Sequence, residues 1–217
     1  SISLEEKNKQ HIEPSFQIFK NVENELSSYK ENSDIFRLNK YKQTILHPFT
    51  YEALQLSKKY YQDTDGYFDI SIGSITKDLY AFGENEKIPT SQELQDSMVF
   101  MNGLDFNASQ ASMLNTMKLD LGGMGKGFGV DKVSQYLKNN AINKFIIAAS
   151  GDIRCMQSCA IDVAHPFRNG SLLSFSTSLK DTGISTSGNY NRYVKSVAHN
   201  HLINPKLKKS QSTFVSI

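Results

Sequence analysis

The chain has 217 residues, 39% apolar and 21% charged, with a formal net charge of +2. That length and apolar content suffice for a buried core and exclude global disorder. So small a net charge gives no reason to expect a polyanionic partner such as nucleic acid, and no run of about 18 apolar residues is available to cross a membrane as a helix.

The opening SISLEEKNKQ turns polar at its fifth position and carries no visible signal-peptide pattern. Ile12, Phe16, Phe19, Val22 and Leu26 recur at steps of four and three, which predicts an amphipathic helix over residues 14 to 28 with Pro14 in its first turn. The polar loop SSYKENSD follows and holds Tyr29. Thr50 as N-cap, with Glu52 in the first turn, predicts a second helix through Leu54, Leu56 and Tyr60. DTDGYFDISIG is a turn cluster leading into an apolar–polar segment, and SITKDLYAFG reads as a short helix closed by Gly83. Residues 91 to 101, after Pro89, read as helical. MKLDL reads as a strand feeding a glycine-rich turn, and Phe128, Val130, Val133, Tyr136 and Leu137 then carry helical spacing. KFIIAASGDI (144–153) reads as a buried strand ending in a Gly-Asp turn. Beyond Cys159, short strands are expected at AIDVAHPF, LLSFSTSL, GISTSG, NRYVKSV, HNHLINP and STFVSI. Helices come early, strands late and both mix in the middle, so the fold class is α+β rather than a repeating βαβ sheet.

Cys155 and Cys159 form CMQSC, which is a redox or metal pair, two incidental thiols, or a local disulfide; with no further cysteine the zinc pattern is not met. His199 and His201 would share a strand face if extended, yet no second cluster of His, Asp or Cys joins them into a metal site. His165 before Pro166 reads as a turn histidine, and KLKKS (206–210) as a solvated hairpin tip. Tyr60, Tyr61 and Tyr80 fall in expected helices and read as packing residues.

The stretch LDLGGMGKGFGVDK (119–132) concentrates five glycines in eight positions, with Asp120 before them and Lys126 among them. Glycine is costly to order, so such a run marks a turn or a close approach of the backbone to something. Backbone N–H groups at a helix start attract anions, and Lys126 would add a point charge. GGMGKG matches neither GxxxxGK[ST] nor GxGxxG, so on local pattern a phosphate site and a close-packed turn both stay open.

FDISIG, LDLGGMGKGFGVDK, ASGDIR, STSGNYNRY and HLINP occur in that order, preceded by LSSYKENSDI. Together they resemble the ApbE-like family, the FAD:protein FMN transferases, whose matching motifs read approximately FDPTVG, LDLGGIAKGYAVD, GGDIR, TSGDYERY and HIIDP, with LSTYxPxSEI upstream. The likeness runs from about Val22 to Ile217. It implies a single α+β domain over 1–217, T-fold-related and mainly antiparallel sheet packed with helices, with FAD in an extended cleft between subregions. It also implies an Mg²⁺ ion by the pyrophosphate, and transfer of FMN to a Thr or Ser hydroxyl of a target flavoprotein, such as a membrane redox-pump subunit, with release of AMP. FAD hydrolysis to FMN and AMP, or FAD binding without turnover, are the alternatives.

Carried over residue by residue, the resemblance assigns Tyr29, Tyr67, Phe68, Asp69, Asp120, Lys126, His201 and Leu202 to the flavin nucleotide, and the Gly123 carbonyl to the metal. His201 becomes the expected general base, Asp120 a ribose or adenine acceptor, and Asp152 a turn cap. The family's N-terminal strand and its DALATA-like metal segment have no counterpart in these residues. Asn204 stands where the family has Asp, Gly125 where it has Ala, and Ser150 where it has the first Gly of GGD. By the same likeness the expected location is the periplasm or the outer face of a bacterial cytoplasmic membrane, with a lipid anchor on the full-length form.

Overall fold

The computed structural model describes residues 1–178 and 180–217; the last position of the LLSFSTSL segment, Leu179, lies outside them. The described residues form an α+β fold of helices and antiparallel sheets, gathered in two compact units. One comprises Ser1–Val22, Met124–Ser187 and Val215–Ile217; the other comprises Glu23–Gly123 and Gly188–Phe214.

The first unit is built on a four-stranded antiparallel sheet of β1 (Ile2–Leu4), β5 (Phe145–Ala149), β6 (Asp152–Cys155) and β9 (Thr182–Ser185), in the order β1-β5-β6-β9. Alternation along β5 turns Phe145 and Ile147 into the core. The glycine run opens α5 (Gly125–Asn139), where Val130, Val133 and Leu137, at steps of three and four, meet that face. Val133, Leu137, Phe145 and Ile147 are 1% exposed or less, each burial contributing roughly 1.5–3 kcal/mol. Helix α1 (Ile12–Leu26) starts two residues before the expected boundary and ends two before it, behind a short 3₁₀ turn at Glu6–His11. A hairpin of β7 (Ala160–Ala164) and β8 (Ser171–Ser176) completes this unit, and CMQSC resolves as a disulfide between Cys155 and Cys159.

Arg154 on β6 donates from Nε to Asp181 (2.7 Å) and from Nη1 to Asp131 (2.8 Å), while Lys138 of α5 also reaches Asp181 at 2.7 Å. These two donors hold the Asp181 carboxyl down at about 2. A depressed folded-state value stabilises above the unfolded value near 3.9 and is lost as the pH falls through 2. The Asp181 side chain is 36% exposed, so solvent screening reduces the effect to about 1 kcal/mol. Asp181→Asn is expected to lower stability by that amount at pH 7 and by only a small part of it at pH 2, as read by urea unfolding at both. Asparagine tolerates the left-handed backbone of this position (φ 60°), so charge is the main change.

The second unit contains α2 (Asp34–Tyr41), which the polar look of SSYKENSD hides: Ser33 caps it through Phe36 N–H, and Ile35 and Leu38 are fully buried. Helix α3 (Pro48–Asp63) begins before Thr50. His47 is its N-cap, accepting from Phe49 N–H at Nδ1, and Pro48 takes the first position, so Thr50 lies buried inside the helix. Helix α4 (Ser91–Asp96) closes five residues earlier than expected, under a capping box of Thr90 and Glu93. A three-stranded sheet orders β2 (Gln43–Ile45), β4 (Gln110–Met113) and β3 (Leu104–Phe106), and β10 (Ile203–Asn204) pairs with β11 (Lys209–Ser210).

MKLDL is not a strand. Its backbone groups are taken by side chains: Asn39 Nδ2 donates to Leu119 O (3.0 Å), Leu119 N donates to Asn39 Oδ1 (2.7 Å), and Lys118 N donates to Ser74 Oγ (3.0 Å). A single parallel bridge joins Lys118 to Ile72. NRYVKSV and STFVSI likewise form no strand among the described residues. The KLKKS tip is exposed at Lys206, Leu207 and Lys209, as expected, and is also tethered: Lys206 bonds Asp65 (2.6 Å), and Lys208 bonds the carbonyls of Gln95 and Ser97 (2.7 Å each).

Candidate functional site

Within the second unit, Tyr29, Asp120 and His201 belong to one chain of contacts. SITKDL forms a wide π-helical turn, Ser74–Leu79, that sends Thr76 and Lys77 toward Asp120. Asp120 Oδ2 accepts from Thr76 Oγ1 (2.7 Å) and lies 3.7 Å from Lys77 Nζ, while Oδ1 accepts from Gly122 N–H (2.9 Å). The carboxylate therefore shapes the start of the glycine run, with both oxygens engaged. Lys77 Nζ donates to Tyr29 Oη (2.5 Å) and sits 4.2 Å from the centroid of the Tyr29 ring. Tyr29 in turn donates to Phe82 O (3.4 Å) and remains half exposed.

Phe82 connects this group to His201, whose ring meets it edge-on with centroids 6.5 Å apart. His201 Nδ1 lies 3.1 Å from Arg192 O. A carbonyl only accepts, so Nδ1 carries the proton and the lone pair of the neutral ring sits on Nε2. The loop is held by Asn200, fully buried, which bonds the carbonyls of Val197 and Gln211 (2.8 Å each) and accepts from Leu202 N–H (3.0 Å). His199 ends a 3₁₀ turn (Val197–His199), so it and His201 do not share a strand face. Lys77 and Asn200 are the residues the sequence reading missed. The only available signal for them was adjacency: Lys77 within SITKDL and Asn200 directly before HLINP.

Tyr67, Phe68 and Asp69 diverge. Tyr67 is 60% exposed, with Lys206 Nζ 4.4 Å from its ring centroid. Phe68 packs edge-on against Tyr60 (5.7 Å), and a Cβ added at Gly123 would lie 3.6 Å from its ring. Asp69 is buried, and its Oδ1 accepts from Ser71 N–H (2.8 Å) and Ser71 Oγ (2.6 Å). Burial pushes the Asp69 carboxyl up from its ordinary value, against the lowering by those bonds.

In the first unit, Lys126 stands in the first turn of α5, half exposed and 3.8 Å from Asp152 Oδ2. Asp152 does not cap the turn: its Oδ1 accepts across the sheet from Ser185 Oγ (2.6 Å). A Cβ built on Gly125 or Gly127 meets nothing within 4 Å, whereas one on Gly129 would sit 2.8 Å from Phe19. The run thus mixes two kinds of glycine, one required by packing and two that the protein's own atoms leave open.

The family model of the ApbE family matches residues 1–217. The chain belongs to the ApbE family. Among curated ApbE relatives, the FAD:protein FMN transferase of Klebsiella pneumoniae (strain 342) is 24% identical over 203 residues, covering 88% of this chain and 64% of the relative. That of Haemophilus influenzae is 28% identical over 216 residues, covering 87% and 61%. The chain therefore spans a little under two thirds of the length of these relatives. The fold is similar to the crystal structure of the ApbE protein of Thermotoga maritima (TM-score 0.86, 22% identity, 99% of this chain and 75% of that one). It is similar also to the flavin transferase ApbE of Vibrio cholerae (TM-score 0.80, 23% identity, 98% and 72%). No helix among the described residues is long and apolar enough to cross a membrane.

Proposed function

We propose that this chain transfers FMN from FAD to a Ser or Thr hydroxyl of a flavoprotein, through a phosphoester bond and with release of AMP. Membership of the ApbE family and the names of its curated relatives support the reaction class. The observation that carries the reading to this chain's own residues is the Nδ1 contact of His201 with the Arg192 carbonyl, which puts the basic lone pair on Nε2. His201 Nε2 then accepts the hydroxyl proton as the oxygen attacks the FMN phosphorus, and the bond to AMP breaks. The neutralised Asp120 and the Tyr29–Lys77 pair form a fixed polar wall suited to a nucleotide. Gly125 and Gly127 leave backbone accessible at a helix start, with Lys126 alongside, 3.8 Å from Asp152 Oδ2.

Mg²⁺ enters this reading through the resemblance. The described residues contain no group of three or more His, Cys, Asp or Glu, and the Gly123 carbonyl supplies one oxygen to an ion that takes about six. That donor set does not fit the ion on its own. The disulfide between Cys155 and Cys159 supports an oxidising compartment such as the periplasm, where disulfides persist.

Incubating the full-length protein with FAD, Mg²⁺ and a flavoprotein acceptor tests the reading. The expected product is acceptor that stays fluorescent through denaturation, with one AMP for each FMN bound. AMP and free FMN without labelled acceptor would replace transfer by hydrolysis, and bound FAD with no products would remove catalysis altogether.

A further inference from the structure

Arg192 reaches the site with both its main chain and its side chain. Its carbonyl accepts from His201 Nδ1 (3.1 Å) and from His201 N–H (3.3 Å), so the two residues face each other across a tight loop, closed also by the bridge of Tyr193 with Asn200. The Arg192 side chain places Cζ 5.6 Å from the centroid of the Phe82 ring, the same ring that His201 meets edge-on. Nη2 makes a long bond to Phe82 O (3.4 Å), the oxygen to which Tyr29 also donates. A Cβ built on Gly83 would lie 4.0 Å from that Nη2 and 3.7 Å from Tyr29 Oη. Gly83 has φ +83°, so the loop bares its backbone between a guanidinium and a phenol.

Other cations of the second unit are engaged: Lys77 is held by Tyr29 and Asp120, Lys206 by Asp65, and Arg37 by Asp34. Of the two carboxylates on the Gly83 loop, Glu84 and Glu86, the second accepts from Gly83 N–H (3.0 Å), and neither is within ion-pair distance of Arg192 among the described residues. Arg192 has no carboxylate within ion-pair distance among the described residues, and it is exposed. A planar fork of five N–H donors engaged by one long bond, with its Cζ 5.6 Å from an aromatic centroid, is suited to receive a phosphoryl oxygen. The contact with Phe82 would by itself be satisfied by any flat or apolar group, and it leaves the fork unexplained.

We infer that the Arg192 guanidinium is the oxyanion receptor of the transfer site, an inference that rests on the FMN-transfer reading. It binds a non-bridging oxygen of the FMN phosphoryl group. The bond from the acceptor hydroxyl oxygen to phosphorus forms, the hydroxyl proton goes to His201 Nε2, and the phosphorus–oxygen bond to AMP breaks with its electron pair leaving on AMP. The negative charge on the non-bridging phosphoryl oxygens is met by the fork, which makes Arg192 a catalytic residue.

The test uses Arg192→Ala, which keeps the carbonyl that orients His201. Transfer is expected to fall about 100-fold in kcat, the usual loss when one donor to a developing oxyanion is removed. Millimolar guanidinium added to the variant is expected to restore about tenfold of that loss, and Arg192→Lys to fall between the two. Binding of inorganic pyrophosphate, read by calorimetry, is expected to weaken in parallel. An Ala variant within about threefold of the parent rate, or a slow variant deaf to guanidinium, overturns the inference. If the parent protein performs no transfer, the reaction reading falls; pyrophosphate binding that still depends on Arg192 would then keep the oxyanion receptor, and binding indifferent to it would remove both.

Discussion

Replacing His201 with alanine is expected to slow FMN transfer by about a thousandfold while FAD affinity changes less than about threefold. The expectation follows from where the ring's bonds go. Nδ1 is committed to the Arg192 carbonyl, so the basic nitrogen is Nε2, and in the proposed reaction the residue would contribute a proton acceptor of fixed direction. The stringent variant is His201→Asn, because the amide Nδ2 can keep the bond to Arg192 O while no base remains. It should melt like the parent and be as slow as the alanine variant. Rates measured in single turnover with FAD in excess separate the chemical step from binding. If His201→Asn transfers within tenfold of the parent, the lone pair at Nε2 is not the proton acceptor, and the loop's function is structural.

The two ends of this site were unequally visible in the sequence. Motif likeness is enough to bring His201, Asp120 and Tyr29 forward, since they lie in HLINP, LDLGGMGKGFGVDK and LSSYKENSDI, which resemble family motifs. Their connection was not visible, because it passes through Lys77 and Phe82, which look like ordinary members of a short helix, and through a main-chain carbonyl, which has no letter of its own. The same blindness affected the fold. Periodicity found α5 and β5, whose apolar faces are unbroken, and placed the start of α3 wrongly because His47, not Thr50, satisfies its first donor. It missed α2, a helix of eight residues in which Asp34 and Asn39 are buried for their hydrogen bonds: Asp34 accepts from His47 N–H (2.6 Å) and Asn39 clamps Leu119. MKLDL was misread for the complementary reason. Alternating apolar residues announce an extended segment, but not whether strands or side chains will satisfy its backbone.

A substitution at Gly73 should be the most damaging single methyl group in the second unit. A Cβ there would stand 2.6 Å from both the Leu119 carbonyl carbon and the Lys118 carbonyl oxygen, atoms of the backbone that feeds the glycine run. No rotamer can relieve that contact. The parallel bridge between Ile72 and Lys118 and the bond from Lys118 N–H to Ser74 Oγ fix the spacing on both sides of it. Gly73 has φ −52°, a conformation any residue adopts, so the clash alone decides the outcome. Gly73→Ala is expected to lose about 3 kcal/mol, read as a lower urea midpoint at unchanged slope. Gly127→Ala makes the same chemical change at a helical position where the added carbon meets nothing, and it should gain up to about 1 kcal/mol from the backbone entropy removed. The opposite signs are the informative result. If Gly127→Ala also weakens FAD binding while raising stability, glycine at that position serves the ligand and not the fold. If it raises stability and leaves FAD affinity untouched, the open backbone there is not the diphosphate site.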